Sequence, residues 1–302
     1  MSLSDEDISR LHALLRNEAD MAFRRRAFRL LDWLDLRDGD RVLDCGCGMG
    51  FYLMTMGSLR SLRLIGCDED PARLARARRE GVPAQLVRND IQHQPFADGS
   101  FDKILCSEVL EHLSDDGAGM RDLARILRPG GILAISVPHA RYPFWWDPIN
   151  RLWIALGGQP FRSGPIAGIW SNHQRLYEPG DLLAGLRDAG FSVERIEEAT
   201  HYCFPLAHFL IYGIGKPLLE HDLLPQWARN SADRFSGARN RGSLWNPINA
   251  FVRLLAIIDR LNDSPRVRHK HAFVNVLAKA RKPYGNVATP ATNLAEPGYS
   301  EY

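Results

Sequence analysis

An apolar strand running straight into three alternately spaced glycines constrains this chain more than any other feature. In Val42-Leu43-Asp44-Cys45-Gly46-Cys47-Gly48-Met49-Gly50 a strand meets a tight turn, and a helix follows over Phe51–Leu59. Glycines at 46, 48 and 50 let the backbone approach a ligand closely and adopt dihedrals that a side chain forbids. The alternation continues downstream. Strands are predicted at Arg41–Cys45, Leu62–Cys67, Ala84–Val87, Phe101–Cys106 and Ile132–Val137, with helices at Phe51–Leu59, Pro71–Arg79 and Gly119–Leu127. The Pro129-Gly130-Gly131 turn is expected to stop the last of these helices. Near-continuous apolar strands separated by helices predict an α/β fold with a Rossmann-like parallel sheet covered on both faces. The pattern pauses at His139 and resumes with a helix at Pro179–Ala189, a strand at Phe191–Ala199 and a late strand at Ala272–Ala280.

The ends of the first three strands hold the acids that choose the ligand. A dinucleotide turn favours G-x-G-x-x-G over a pyrophosphate, whereas the spacing here is D-x-G-x-G-x-G. Asp44 would repel a pyrophosphate and attract a cation. Asp68 follows the glycines by about 20 residues, where an acid binds ribose hydroxyls. Asp90 closes the third strand beside Ile91, suited to an exocyclic adenine amine and its ring. Each acid alone is an ordinary turn residue, but three at successive strand ends converge on one crevice.

On these stretches, with GCDEDP, RNDIQHQPFADGSFDKILCSEVLEHL and LARILRPGGILAISVP, residues 41–138 resemble the class I S-adenosylmethionine-dependent methyltransferases, in particular their broad small-molecule group. The resemblance implies a mostly parallel seven-stranded sheet whose last strand is antiparallel, a part that Ala272–Ala280 fits. It implies S-adenosylmethionine as cofactor, held by Asp44, Gly46, Gly48, Gly50, Asp68, Asp90, Ile91 and Ser107. Asp44 and the glycines would surround the methionine end, Asp68 the ribose, and Asp90 with Ile91 the adenine. The segment Glu108-Val109-Leu110-Glu111-His112 resembles the E-x-x-E-H motif by which ubiquinone-pathway O-methyltransferases and small-RNA 2′-O-methyltransferases hold a divalent cation. Glu108, Glu111 and His112 are therefore candidate Mg²⁺ ligands. Similar segments occur in methyltransferases that need no metal, so a structural role for the three leads and Mg²⁺ stands second. His139 and His173 are candidate bases or acceptor contacts at the mouth, with a hydrogen-bonded structural role at least as well supported.

The remaining sequence divides into a helical segment (1–39), the core (40–202 and 271–282, with an aromatic lid at 140–177), a helical insertion (203–270) and a tail (283–302) expected to be disordered. Residues 5–36 read as one Arg-rich helix, and Arg24-Arg25-Arg26 as a solvated face or an anionic contact. The lid carries Tyr142, Phe144, Trp145, Trp146, Trp153, Phe161 and Trp170, which points to an apolar or aromatic acceptor, soluble or lipid-linked, or to a small core of the lid's own, and the two are compatible. In both insertions an Asp or Asn before Pro starts a helix: Asp147-Pro148 and Asn246-Pro247. Residues 203–270 hold ten Lys/Arg against five Asp/Glu. Packing on the core or on a second copy in a homodimer leads for this insertion, with an anionic membrane surface as the competing partner. On the helix from Pro247, Asn249, Arg253, Ala256 and Arg260 are expected to form one face, opposite a wide apolar one.

Composition narrows the class. Forty-five percent hydrophobic and 25% charged residues with net charge +2 describe an ordinary globular chain without the basic excess of a polyanion binder. Nucleic acid is disfavoured further because the N/D-P-P-Y/F tetrad of base methylation is replaced by Cys106-Ser107-Glu108-Val109. Five cysteines without C-x-x-C read as reduced thiols. With no secretory leader or spanning segment, the expectation is a cytoplasmic protein, peripheral at most to a membrane. The function expected is methyl transfer, at oxygen, to a hydrophobic small molecule or lipid-linked acceptor. The alternatives are a sugar or nucleic-acid methyltransferase, or a partner protein that binds the cofactor without turnover.

Overall fold

The computed structural model describes residues 3–206, 208–215, 218, 225–228 and 246–285. Most of the tail expected to be disordered, and Trp245, lie outside these residues.

Seven strands form one sheet: β1 (Arg41–Cys45), β2 (Arg63–Asp68), β3 (Gln85–Arg88), β4 (Phe101–Ser107), β5 (Leu127–Pro138), β6 (Ser192–Ala199) and β7 (Asn275–Arg281). The order is β3-β2-β1-β4-β5-β7-β6. β7 runs antiparallel between β5 and β6, pairing Val276 with Val137 and with Glu198. The pairings among β1 to β5 are parallel, so their carboxyl ends share one edge. The strand order reverses between β1 and β4, and open α/β sheets bind ligands in the crevice at such a point.

Two apolar layers cover the sheet. On one face α5 (Asp116–Ile126) and α7 (Pro179–Asp188) bury Met120, Leu123, Leu182 and Leu186. On the other, α1 (Asp5–Leu14), α2 (Met21–Trp33), α3 (Phe51–Leu59) and α4 (Pro71–Arg79) bury Leu11, Leu30, Leu53 and Leu74. Asp70 caps α4 ahead of Pro71, as its sequence predicts.

Three expectations are corrected. The N-terminal segment is two helices, because Asp20 accepts a hydrogen bond from Phe23 N and starts α2 anew. Its apolar period survives the break since α1 and α2 pack on the same layer. The Pro129-Gly130-Gly131 stretch is no free turn but the entrance to β5, where Gly130 N donates to Lys282 O at 2.7 Å. The arginine triplet is not a solvated face, and the acids it meets belong to this chain. Arg25 clamps Asp259 and Asp263 at 2.8 and 2.7 Å, and Arg26 is buried.

The lid contains α6 (Pro148–Ala155) and is anchored by Asp147, which is fully buried and accepts from Asn150 N, Asn150 Nδ2 and Ile169 N. In the second insertion α8 (Pro247–Asp259) buries Asn249, Val252 and Leu255, the last two packing with Met21 of α2. Val252 and Leu255 of the expected apolar face are buried, and Asn249 of the expected polar face joins them. Leu254 and Ile257 remain exposed. No described helix is long and apolar enough to cross a membrane.

Candidate active site

The turn after β1 is tied to β2: Gly46 N and Cys47 N both donate to Cys67 O at 2.8 Å. Gly46 has φ +75°, and a Cβ there would lie 2.4 Å from Val109 Cγ2, so both backbone and space demand glycine. Gly48 differs. Its φ is +53°, yet no atom lies within 4 Å of a Cβ placed on it. That bare stretch of backbone faces the crevice. Gly48 N donates to Asp68 Oδ2 at 2.8 Å, and Asp70 N to Asp68 Oδ1 at 2.9 Å. Asp68 therefore shapes the turn while keeping lone pairs for a ligand.

Asp44 is 2% exposed and its Oδ2 has no hydrogen-bond partner. Burial, aided by the charge of Asp68, pushes its carboxyl up to about 8. An orphaned buried carboxylate facing a crevice suits a cation. Asp90 is exposed; Gln92 N donates to its Oδ1 at 2.8 Å and holds its carboxyl below the usual range, with Ile91 buried beside it.

Past β4, Ser107 Oγ lies 3.0 Å from Ser136 Oγ and 3.4 Å from Tyr52 OH. Glu108 is held in the left-handed region at φ +57°. It accepts from Ser136 Oγ at 2.9 Å and from Asn275 Nδ2 at 3.1 Å, and lies 3.5 Å from Arg26 Nη1. This corrects the expected metal set. The Glu108 carboxylate is engaged by three protein groups and stands apart from Glu111 and His112.

Glu111 is fully buried, and neither carboxylate oxygen has a partner. Burial, with the charge of Glu108, drives its carboxyl well above the usual range. Its Oε1 faces His112 Nε2 at 4.0 Å and His173 Nε2 at 3.9 Å, and one donor atom from each of the three residues falls within 4.8 Å of the others. His112 Nδ1 donates to Asn172 O at 3.1 Å, which leaves the Nε2 lone pair free. Burial beside His112 pushes His173 down to about 3, so it is neutral. The structure thus brings together His173, Glu111 and His112 from two distant segments.

His139 is corrected as a candidate base. Its side chain is fully buried, Nε2–H donates to Glu198 Oε1 at 2.7 Å, and Nδ1 accepts from Arg141 N at 2.8 Å. Neither nitrogen is left for an acceptor. Sequence reasoning missed Arg26, whose Nε is buried without a partner beside this end of the crevice, and Asn275. A single interior arginine in an Arg-rich helix was the only signal.

The family described as "Methyltransferase domain" matches residues 43–135, which span the turn and strands β1 to β5. This stretch is a methyltransferase domain. The chain is similar to the 27-O-demethylrifamycin SV methyltransferase of Amycolatopsis mediterranei, 26% identical over 84% of this chain and 82% of the relative. It is also similar to the ubiquinone biosynthesis O-methyltransferase of Xanthomonas oryzae pv. oryzae, 32% identical over 54% of this chain and 66% of that one. Across the other curated relatives compared, the chain spans 41% to 55% of their length. Among solved structures, the cyclase SpnF (TM-score 0.53, 21% identity, 86% of this chain and 82% of that chain) shares the fold. So does a methyltransferase-like protein of Bacillus halodurans (TM-score 0.51, 18% identity, 85% and 98%).

The chain's own residues fit the cofactor of that family. The open backbone at Gly48 offers room, the orphaned Asp44 oxygen a cation acceptor and the buried Arg26 Nε an anion donor.

Proposed function

We propose that this chain methylates a hydroxyl oxygen of an apolar, ring-bearing acceptor. The observation that carries this reading is Glu111: a fully buried carboxylate, unpartnered, facing two imidazoles beneath an aromatic lid. When bound, S-adenosylmethionine supplies an electrophilic methyl group on a sulfonium. Asp44 would oppose the ammonium of its methionine end and Arg26 Nε the carboxylate there. Asp68 would take the ribose, and Asp90 and Ile91 would flank the adenine. The protein's task is then to align the acceptor in line with the methyl and exclude water. Tyr142, Trp146 and Ile169 pack with Ala22 and Val274 into a small core that seats the lid.

A hydroxyl must lose its proton as the oxygen is methylated. The burial that makes Glu111 reluctant to ionise makes it a strong proton acceptor once ionised. A divalent cation also fits here, with Glu111, His112 and His173 as its ligands; it would lower the pKa of a neighbouring hydroxyl. The names of the rifamycin and ubiquinone-pathway relatives support large, apolar, oxygen-bearing acceptors.

The test is methyl-labelled S-adenosylmethionine offered with phenolic and polyketide hydroxyl acceptors and with small amines. Transfer to hydroxyls is expected, with Glu111→Gln lowering kcat at least tenfold at unchanged cofactor affinity. Turnover that survives chelator is expected where Glu111 acts as the base; loss of turnover restored by Mg²⁺ would point to the cation instead. Transfer to amines alone would remove the oxygen reading, and full activity of both Glu111→Gln and chelated protein would remove Glu111 from the chemistry.

A further inference from the structure

The outer surface of the lid is apolar in a way a soluble globular surface does not require. In α6 only Asn150 is buried; Ile149, Leu152, Trp153 and Ile154 all face outward. Just outside the helix, Trp145 is 58% and Leu156 82% exposed. The patch continues onto the second insertion, where Leu206 N donates to Trp145 O at 2.9 Å and Leu206, Leu210 and Ile214 are exposed. Among the described residues nothing covers it. Contiguous apolar surface on this scale marks a docking site rather than scatter.

Charge decides the occupant. Between Ala140 and Leu176 the only acidic residue is Asp147, and it is fully buried. The arginines of the lid are Arg141, Arg151, Arg162 and Arg175. Arg141 is paired with Glu178 and Arg175 with Asp116. Arg151 and Arg162 are exposed, pair with no carboxylate among the described residues, and lie over the rings of Tyr142 and Trp170 at 5.3 and 5.8 Å. The lid surface thus presents tryptophans, leucines, isoleucines and unpaired arginines, with no exposed acid. Tryptophan prefers the interface between headgroups and acyl chains, aliphatic side chains enter the acyl boundary, and arginine pairs with anionic headgroups. A second protein copy would bring the same positive charge against itself.

We infer that the outer face of the lid, built on α6, docks this protein on an anionic lipid surface. The same insertion carries His173 at its other end, so docking would set the mouth of the crevice against the bilayer, where an apolar acceptor dissolves. This consequence rests on the proposed acceptor; the docking itself does not. It also places the membrane contact on the aromatic lid and the adjoining surface of Leu206, Leu210 and Ile214 rather than on α8, which packs against α2.

The experiment uses the full chain with sedimenting vesicles of phosphatidylcholine, with and without phosphatidylglycerol, at low and high salt. Binding to the anionic vesicles at low salt is expected, with a blue shift of tryptophan emission. The pair Leu152→Glu and Trp153→Glu should weaken partition at least tenfold while leaving the thermal melt unchanged. The pair Leu254→Glu and Ile257→Glu on α8 should leave partition as it was. Failure of the parent chain to bind anionic vesicles would overturn the inference. So would loss of binding in the α8 pair with retention in the α6 pair, or a stable dimer that the α6 pair dissolves. Calorimetry of S-adenosylmethionine binding, run on the same proteins without lipid, reports separately on the methyltransferase reading.

Discussion

Asp44 joins burial to function. Its carboxyl is raised to about 8 in the folded chain, well above the value near 4 of an unfolded carboxylate. Folding therefore favours the protonated form. The Asp44 contribution is fully present below about pH 4 and is lost as pH rises through 8. Asp44→Asn should then stabilise the free protein at pH 8 and change little at pH 4, as thermal melts would show. Ligand binding reverses the preference, because a cation at the crevice favours the carboxylate. At pH 7 S-adenosylmethionine should release close to one proton on binding, seen by calorimetry in buffers of different ionisation enthalpy. Asp44→Asn should abolish that release and weaken binding by about 1.5–3 kcal/mol, the worth of a hydrogen bond to a charged group. No proton release in either protein would remove Asp44 from the methionine end.

At the scale of elements, the lid depends on one buried acid. Asp147 starts α6, holds the Asn150 side chain and accepts from Ile169 N, so it closes both ends of the loop onto each other. Asn150 in turn accepts from Phe161 N at 2.8 Å and donates to Ala167 O at 3.0 Å. Asp147→Ala leaves these buried donors unpaired, at a cost of about 1–3 kcal/mol each. The lid stands on the sheet rather than within it, so the damage should stay local. KM for the acceptor is expected to rise strongly while the dissociation constant for S-adenosylmethionine stays within twofold. Equal losses in both would show that the lid is part of the cofactor site. The sequence places Asp147 before Pro148 as a helix start and shows that much correctly. Its second task, gripping Ile169 from 22 residues away, is a tertiary contact that no local pattern carries.

Across the whole molecule, the second insertion is joined to the core through α2. Arg25 reaches Asp259 through Nε at 2.8 Å and Asp263 through Nη1 at 2.7 Å, and donates to Asp259 O at 2.7 Å. Val252 and Leu255 pack beside Met21. A single arginine thus ties residues more than 230 positions apart, and its loss should loosen α8 without disturbing the sheet. Arg25→Ala is expected to speed proteolytic cleavage within 203–270 at least fivefold, with the β-sheet circular-dichroism signal intact. Unchanged cleavage would mean that apolar packing alone seats α8.

The sheet and the glycine turn at its edge were legible because their causes are local. Strand periodicity, glycines whose dihedrals admit little else, and acids at strand ends all lie within a few residues of the positions they govern, so Asp44, Gly48, Asp68 and Asp90 could be placed before any contact was known. The acceptor end had no such local cause. Glu108 and Glu111 look equivalent in sequence, but a left-handed backbone at Glu108 turns its carboxylate to Ser136, Asn275 and Arg26, while Glu111 is left buried and bare. His139 and His173 look equally available, yet Glu198 and Arg141 occupy both nitrogens of the first. Those partners come from β5, β6, β7 and α2, which meet only when the sheet closes. A side chain's chemistry is set by what surrounds it, and for these residues the surroundings are made by strands and helices far away in the chain.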